Sequence, residues 1–272
     1  MVDEQRALSL RNPRVQHLRR LIGRRRSRSE HDQFAFEGVT LIAEAIGASF
    51  PLDAVYVDRD TAVRHAELID ALAGRAEVVT VAPGVIGKVS DTTTPQGVIA
   101  VARRRTTELD ALVRDPRGWV LVLDAIGDPG NAGTIVRTAE AFGARAAVFA
   151  GSSADPFGPK AVRASAGSVF RLPVVDHDST HDAMRRLLAA GFEGCTTVVR
   201  GGDVPSAVDL TGSMVVVLGS EAHGVDPDVQ TLPLRRLTIP MHGGAESLNV
   251  ASAAAVVGYE RCRQLDAAAR MQ

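Results

Sequence analysis

Lysine is nearly absent from this 272-residue chain: only Lys88 and Lys160 occur among its 31 basic residues. Aromatic residues make up only 4% of the sequence, so the core must be built mainly from valine, leucine, isoleucine and alanine. No apolar run reaches the roughly 18 residues that a membrane helix needs. The first residues lack the apolar segment of a secretory signal. We therefore expect no membrane span.

Cysteine is also scarce, and several catalytic motifs are missing. Cys195 and Cys262 form neither a metal-ligand spacing nor a disulfide framework, which favours a reduced, cytoplasmic protein. No metal site is expected. The Gly-rich stretch at 124–144 lacks the lysine of a phosphate loop, and no G-x-G-x-x-G fingerprint follows a strand. There is no G-x-S-x-G nucleophile motif. These absences argue against the usual nucleotide-binding and hydrolase sites.

Positive charge is concentrated near the amino terminus. Residues 1–30 contain nine arginines and three acidic residues, a net charge of +6, while the remainder of the chain carries −7. A basic arm before an acidic body predicts a polyanionic partner. A solvated basic helix is the alternative explanation of the same residues.

Hydrophobic patterning divides the chain into two α/β regions. In residues 1–103, a basic helix near Pro13–Arg25 and the amphipathic helix "FEGVTLIAEAIGA" precede three strands that alternate with helices. The polar stretch 104–116 is the predicted linker. In residues 117–272 the Val-rich strands lack polar alternation, so we expect them to be buried on both faces of a mainly parallel sheet. The predicted fold class is α/β in both regions.

The stretch "DAIGDPGNAGTIVRTAEAFGA" (124–144) predicts a strand end, a tight turn and a helix. The amino terminus of that helix would present free N–H groups to an anion. Asn131 stands at its predicted start, and Arg137 follows six residues later. Asn131 could instead serve only as the N-cap of the helix.

Two further motifs follow buried strands. In "VVVLGSEAHGV" (215–225), Gly219 would let a ligand approach the backbone closely. Glu221 would lie at the carboxyl edge of the sheet, where open α/β sheets bind ligands, although a solvated loop glutamate is the alternative. In "LTIPMHGGAESLNVASAAAVVGYE", Ser247 and Asn249 open a helix of small residues. Such residues predict close packing against another backbone, in a dimer or a threaded chain, and Ser247 could simply cap the helix.

Together and in this order, "DPGNAGTIVRTAEAFGA", "LGSEAHGV" and "IPMHGGAESLNVASAAA" resemble the catalytic domain of the SpoU/TrmH branch of the SPOUT methyltransferases. The resemblance implies an RNA ribose 2′-O-methyltransferase that works as a homodimer. It also implies a parallel sheet with a deep trefoil knot, a rare topology. Residues 1–103, including "FAFEGVTLIAEAI", resemble the ribosomal-protein-like RNA-binding domain that often precedes this domain. The implied division is an RNA-binding domain (1–103), a linker (104–116) and a methyltransferase domain (117–272).

The resemblance also implies a cofactor and a set of site residues. S-adenosylmethionine is expected in the knot, contacted mainly by backbone, and the matching positions are Gly219, Ile239, Met241 and Leu248. The implied catalytic residues are Asn131, Arg137, Glu221, Ser247 and Asn249. The residues expected to contact RNA are Arg19, Arg20, Arg24, Arg25 and Arg26. Because arginine is rarely neutral, we expect Arg137 to orient a phosphate or hydroxyl, and the identity of the base stays open.

The expected substrate is ribosomal RNA, because tRNA enzymes of this family often lack the first domain. A tRNA 2′-O-methyltransferase and a catalytically inactive, knotted RNA-binding protein are the alternatives. The intact polar set argues against the inactive protein. Binding of the cofactor would distinguish an active methyltransferase from the inactive RNA-binding protein.

Overall fold

The computed structural model describes residues 7–270, which form two compact units. Unit 1 runs to Arg104 and also includes Phe157–Arg171, and unit 2 contains Arg105–Pro156 and the chain from Leu172 onward. The predicted domain functions stay predictions. The compact units nevertheless differ from the predicted boundaries, because residues 105–116 join unit 2 and Phe157–Arg171 joins unit 1. No helix within 7–270 is long and apolar enough to cross a membrane.

Unit 1 is built on a four-stranded mixed sheet with the strand order β1-β4-β2-β3. Strand β4 is antiparallel to β1 and β2, and β2 is parallel to β3. The strands are Gln33–Glu37 (β1), Leu52–Val57 (β2), Glu77–Thr80 (β3) and Val98–Arg103 (β4). The helices are Pro13–Gly23 (α1), Arg25–His31 (α2), Val39–Gly47 (α3), Arg59–Arg64 (α4), Ala66–Ala71 (α5), Val85–Val89 (α6) and Pro159–Ala164 (α9).

Strand β1 was missing from the predicted elements. Its two faces pack against different parts of the core of unit 1. Ala35 packs into the apolar cluster beneath α1. The rings of Phe34 and Phe36 lie on the other face, where they stack on each other and contact further aromatic rings. The ring of Phe157 lies 5.0 Å from that of Phe34, and the ring of Phe170 lies 4.9 Å from that of Phe36. The segment Phe157–Arg171 therefore completes the core of unit 1.

The basic amino-terminal segment contains a helix that is part of this core. Asn12 caps α1 by accepting a hydrogen bond from the backbone N–H of Arg14, and Pro13 occupies the first helical position. Four apolar side chains of α1 are buried, namely Val15, Leu18, Leu21 and Ile22. The predicted helix is confirmed and ends at Gly23. Residues 1–6 of the predicted arm, with Arg6, lie outside the described residues.

Unit 2 contains a six-stranded sheet in which every described pairing is parallel, in the order β10-β8-β9-β5-β6-β7. The predicted parallel α/β fold is confirmed. The strands are Trp119–Asp124 (β5), Ala146–Ala150 (β6), Val174–His177 (β7), Glu193–Thr197 (β8), Met214–Gly219 (β9) and Arg235–Leu237 (β10). The helices are Leu109–Val113 (α7), Pro129–Ala141 (α8), Thr180–Ala189 (α10), Pro227–Gln230 (α11) and Val250–Ala269 (α12).

The centre of this sheet brings two motif-bearing strand ends together. All six residues of β5 are buried, and its last residue, Asp124, pairs with Gly219 at the end of β9. The small residues of α12 pack within the chain: a Cβ at Gly258 would lie 2.6 Å from the ring of Phe142, just after α8. The close packing predicted for the small residues of α12 is therefore provided in part by α8 of the same chain.

Candidate active site

The turn after β5 leaves the side chain of Asn131 free to act outside its own helix. The N-cap of α8 is Asp128, whose Oδ1 accepts a hydrogen bond of 2.8 Å from the backbone N–H of Asn131. Asn131 therefore lies in the first turn of the helix, and the possibility that it is the N-cap is wrong. Because Asp128 performs the capping, the amide of Asn131 can bond elsewhere.

Helix α12 begins within the third motif, "LTIPMHGGAESLNVASAAAVVGYE", and its N-cap is Asn249. The Oδ1 atom of Asn249 accepts hydrogen bonds from the backbone N–H groups of Ala251 and Ser252, at 2.9 and 3.3 Å. Ser247 precedes this cap, so its proposed capping role is wrong. The cap fixes the orientation of the Asn249 amide, whose Nδ2 is left to donate.

Asn131, Glu221 and Asn249 form an amide–carboxylate triangle. The Nδ2 atom of Asn131 donates to Glu221 Oε1 at 3.1 Å, and Asn249 Nδ2 donates to the same oxygen at 2.9 Å. Asn249 Nδ2 also donates to Asn131 Oδ1 at 2.9 Å. Glu221 is exposed but bonded to two amides, so the solvated loop glutamate is not what the structure contains. Hydrogen bonds to a charged acceptor are the stronger kind, which favours a fixed carboxylate.

An apolar cleft lies beside the triangle. Its apolar walls include the side chains of Leu237, Ile239, Met241 and Leu248, and the backbone of Gly219 forms part of its edge. Glu221 and Ser247 also line it, so the triangle and the cleft share the carboxylate. All four residues predicted to contact the cofactor thus surround one cleft. An apolar pocket with a few convergent polar groups fits an adenine ring, whose flat faces pack against apolar side chains while its edge forms hydrogen bonds.

The structure shows a second constraint on Gly219, beyond its place at the edge of the cleft. A Cβ at this position would lie 2.1 Å from the carbonyl carbon of Gly224 and 2.2 Å from the nitrogen of Val225. A larger residue at Gly219 would displace the loop that carries Glu221, whether or not a cofactor is present.

Two members of the predicted catalytic set do not join the triangle. Arg137 is exposed and makes no hydrogen bond or ion pair with any residue between 7 and 270. Six residues along α8 place it about 120° around the helix from Asn131. Ser247 lines the cleft and is exposed, but it does not bond to the triangle. Their catalytic roles stay predictions.

Sequence reasoning missed two aspartates that organise these loops. Asp128 caps α8, and Asp124 is a buried carboxylate at the end of β5. A polar residue ending the fully apolar run "WVLVL" was the available signal for Asp124. Cys195, by contrast, is not a reactive group: burial raises the pKa of its thiol to about 11. Within the described part of the chain, no group of three or more acidic, His or Cys side chains could hold a metal ion.

The arginines of the basic segment divide into free and engaged side chains. Arg19, Arg20 and Arg24 are exposed and have no ion pair or side-chain hydrogen bond with a described residue. Arg26 pairs with Glu30 at 2.6 Å, a fully exposed pair whose contribution to stability is small. Arg28 is buried and donates to the carbonyl groups of Leu21 and Ile22.

A polar triangle and an apolar cleft at the carboxyl ends of parallel strands are typical of the ligand site of an α/β domain. The model of the SpoU rRNA methylase family matches residues 118–259, and the MRM3-like substrate binding domain matches residues 12–100. This chain therefore belongs to the SpoU rRNA methylase family. The resemblance drawn from the three motifs is confirmed.

Relatives match nearly the whole chain. A 23S rRNA (uridine(2479)-2′-O)-methyltransferase of Streptomyces viridochromogenes is 33% identical, over 95% of this chain and 92% of its own length. A 23S rRNA (guanosine(2553)-2′-O)-methyltransferase of Bacillus subtilis is 31% identical, over 92% and 96%. The AdoMet-bound rRNA methyltransferase from Sinorhizobium meliloti has a TM-score of 0.83 and 29% identity, covering 95% of this chain and 98% of that one. S-adenosylmethionine is the cofactor of this family.

Proposed function

We propose that this protein transfers the methyl group of S-adenosylmethionine to a ribose 2′-hydroxyl of ribosomal RNA. The observation that carries the proposal is the triangle of Asn131, Glu221 and Asn249 at the edge of the apolar cleft. The relatives named for 23S ribosomal RNA match both units, and the match to a substrate binding domain covers residues 12–100. This second match supports a large RNA substrate.

The chain's own residues align the reactants. The walls of the cleft, with Leu237, Ile239 and Leu248, would bind the cofactor and exclude water. S-adenosylmethionine supplies a methyl group that is already activated by its sulfonium charge. Alignment of the attacking oxygen is therefore the main task of the protein, and such alignment can lower a barrier by roughly 7–11 kcal/mol.

In this proposal Glu221 orients the ribose hydroxyl. Both amides of the triangle, and the backbone N–H of Val250 at 3.5 Å, point at Oε1 of the carboxylate. Oε2 accepts no hydrogen bond from a described residue and remains available to a substrate hydroxyl. Arg137 would then contact an RNA phosphate or hydroxyl through its planar guanidinium. The identity of the final proton acceptor stays open.

We also propose that the enzyme works as a homodimer through α12. Val256 and Tyr259 lie on one face of this helix and are 38% and 61% exposed, so this face offers an apolar surface to a partner. A second copy of the chain would cover them, as closed two-fold symmetry allows. Sedimentation should show a dimer that Tyr259→Asp converts to a monomer. Val63→Asp in unit 1, where Val63 is 73% exposed, is the control and should leave the dimer intact.

The trefoil knot and a cytoplasmic location are further parts of the proposal. The proposed knot is supported by hydrogen bonds that join the segment 203–210 to later parts of unit 2 at two places. Asp203 bonds through its backbone to Arg236 and Thr238, each at 2.9 Å, and α12 holds the following segment. Gln264 accepts from the N–H of Leu210 at 2.8 Å, and the buried Arg261 donates to the Leu210 carbonyl. A crystallographic chain trace tests the knot, and fractionation of cells tests the location.

The decisive experiment compares RNA substrates directly. The purified protein is incubated with S-adenosylmethionine carrying a tritiated methyl group, and with ribosomal RNA or tRNA from cells lacking the gene. Mapping of the methylated riboses should find one site in ribosomal RNA. Methylation of tRNA alone would identify the tRNA enzyme, and the absence of both cofactor binding and methyl transfer would identify the inactive binding protein.

A further inference from the structure

Asp124 is a buried carboxylate that the proposed chemistry does not use. It is 4% exposed and ends the central strand β5. Its Oδ1 accepts a hydrogen bond of 2.5 Å from the hydroxyl of Thr180, which is itself 5% exposed at the start of α10. Its Oδ2 accepts a hydrogen bond of 2.7 Å from the backbone N–H of Asp226. A buried carboxylate with these two partners ties three separate elements together.

The segment that Asp124 holds is the loop that carries Glu221. This loop, residues 219–226, turns back on itself: the N–H of Gly224 donates to the carbonyl of Ser220 at 2.8 Å. Its beginning and its end also meet, because the space beside Gly219 is filled by the Gly224–Val225 peptide. The start of the loop is fixed by the pairing of Gly219 with Asp124 in the sheet, and its end by the bond from Asp226 to the Asp124 carboxylate.

We propose that Asp124 and Thr180 are positioning residues, which hold Glu221 where Asn131 and Asn249 can bond to it. Asp124 acts on both ends of the 219–226 loop, through its backbone in the sheet and through its side chain. Thr180 fixes the other oxygen of the carboxylate and so its orientation. The inference rests on the proposed methyl transfer for its kinetic consequences, but its structural consequence can be measured without activity.

The chain offers a matched pair of buried threonines for the test. Thr180 donates to Asp124, whereas the hydroxyl of Thr196, 3% exposed in β8, has no hydrogen-bond partner among the described residues. Thr→Val keeps the shape and removes the hydroxyl at either position. Thr180→Val should perturb the triangle, and Thr196→Val should not. Asp124→Ala removes the anchor altogether, and Thr180→Val remains informative if Asp124→Ala does not fold.

Nuclear magnetic resonance of the side-chain amides provides the activity-free measurement. In the unaltered protein the Asn249 Nδ2 hydrogens should exchange slowly, because they are bonded to Glu221 and Asn131. Their exchange should quicken at least about tenfold in Thr180→Val and Asp124→Ala, a sign of a loosened triangle. Unchanged exchange in both variants would overturn the proposal even if the protein proved to have no methyltransferase activity.

Kinetic coupling with Glu221 separates positioning from a general structural role. Asp124→Ala should lower kcat about a hundredfold, the scale of a misplaced reacting group, and should weaken cofactor affinity much less. In a Glu221→Ala background the same substitution should change kcat less than about threefold, because the residue through which it acts is gone. An equal loss in both backgrounds, or no loss in the single variant, would overturn the proposal.

Discussion

In unit 2, the side chains of Asn131, Glu221 and Asn249 hydrogen-bond to one another. In unit 1, Arg19, Arg20 and Arg24 extend from the basic segment without a partner among the described residues. The difference matches the two tasks proposed for the units. A methyl transfer needs atoms fixed within fractions of an ångström. Attraction of a polyanion needs only charge, and exposed arginines supply it at long range. Rigidity and free charge are thus expected to be separable by mutation.

Substitution of Arg137 tests this comparison and has the largest expected effect. Arg137 is an exposed arginine without a partner among the described residues, but it lies on α8 in unit 2 and not in the basic segment. Arg137→Ala should lower methyl transfer by about a hundredfold or more, if Arg137 contacts an RNA phosphate or hydroxyl during the reaction as proposed. Binding of S-adenosylmethionine and dimerisation should be unchanged. Titration calorimetry, light scattering and the tritiated-methyl assay on one preparation measure all three properties.

Arg137→Lys is the informative companion to that variant. A point charge cannot reproduce a planar fork of donors, so lysine should rescue little of the activity. Near-normal transfer by Arg137→Ala would remove Arg137 from the mechanism. Loss of cofactor binding together with the dimer would make it a structural residue.

The triangle can be broken by a single isosteric change. Asn131→Asp places a second carboxylate beside Glu221 and replaces a donor by an acceptor. Transfer should fall about a hundredfold at pH 8, because like charges repel at this distance. Since one carboxyl of such a pair has a raised pKa, activity should partly recover as the pH falls and that group is protonated into a donor.

The control for this variant is Asn12→Asp in unit 1. Asn12 accepts a backbone N–H at the start of α1, where a carboxylate serves equally well as a cap. This substitution should leave both activity and its pH profile unchanged. A pH profile of Asn131→Asp that parallels the unaltered enzyme would show that Asn131 and Glu221 do not interact in solution.

The free charge of unit 1 should determine how RNA affinity depends on salt. In the triple variant with Arg19, Arg20 and Arg24 changed to glutamine, the slope of log K against log salt should fall by about 2 to 3, for roughly 0.7–0.9 per lost phosphate contact. Point substitutions are preferable to deletion of the segment, because α1 buries Leu18 and Leu21 in the core.

A second triple variant is the control, because it removes the same number of positive charges from arginines that already have acidic partners. Arg117, Arg185 and Arg263 are exposed but paired with Asp115, Asp182 and Glu260. Their replacement by glutamine should change the salt slope by less than 1. Equal slopes for the two variants would mean that net charge, rather than the basic helix, attracts the RNA.

Much of the fold and the composition of the candidate site could be predicted from the sequence. Continuous apolar runs such as "MVVVLG" predicted the buried parallel strands, because such strands need no polar face. Strand β1 was missed, since "QFAFE" is short and its phenylalanines pack against rings from Phe157–Arg171, far along the chain. No local pattern encodes that contact.

The spacing of residues in the sequence could not predict which polar residues cap helices and which bond to one another in the site. Asp128, Asn131, Ser247 and Asn249 are all plausible helix caps by residue type, and only the backbone conformation decides among them. Gly219 lines the predicted cleft, but the sequence could not show that the Gly224–Val225 backbone of its own loop also packs against it. The motifs predicted which residues lie near the candidate site, and only the structure shows which of them form hydrogen bonds with one another.

The smallest predicted effect concerns stability and uses the hydroxyl of Thr196. Thr196→Val should raise the free energy of unfolding by roughly 1 kcal/mol, because a buried hydroxyl without a partner loses its hydration for no gain. Thr180→Val should lower it by a similar amount, since it leaves one oxygen of the buried Asp124 unsatisfied. Trp119, the only tryptophan, is buried in β5 and reports the unfolding of unit 2 by fluorescence in urea. Destabilisation by Thr196→Val would show that its hydroxyl does have a partner in solution, and Thr196→Val would then no longer serve as the neutral control for Thr180.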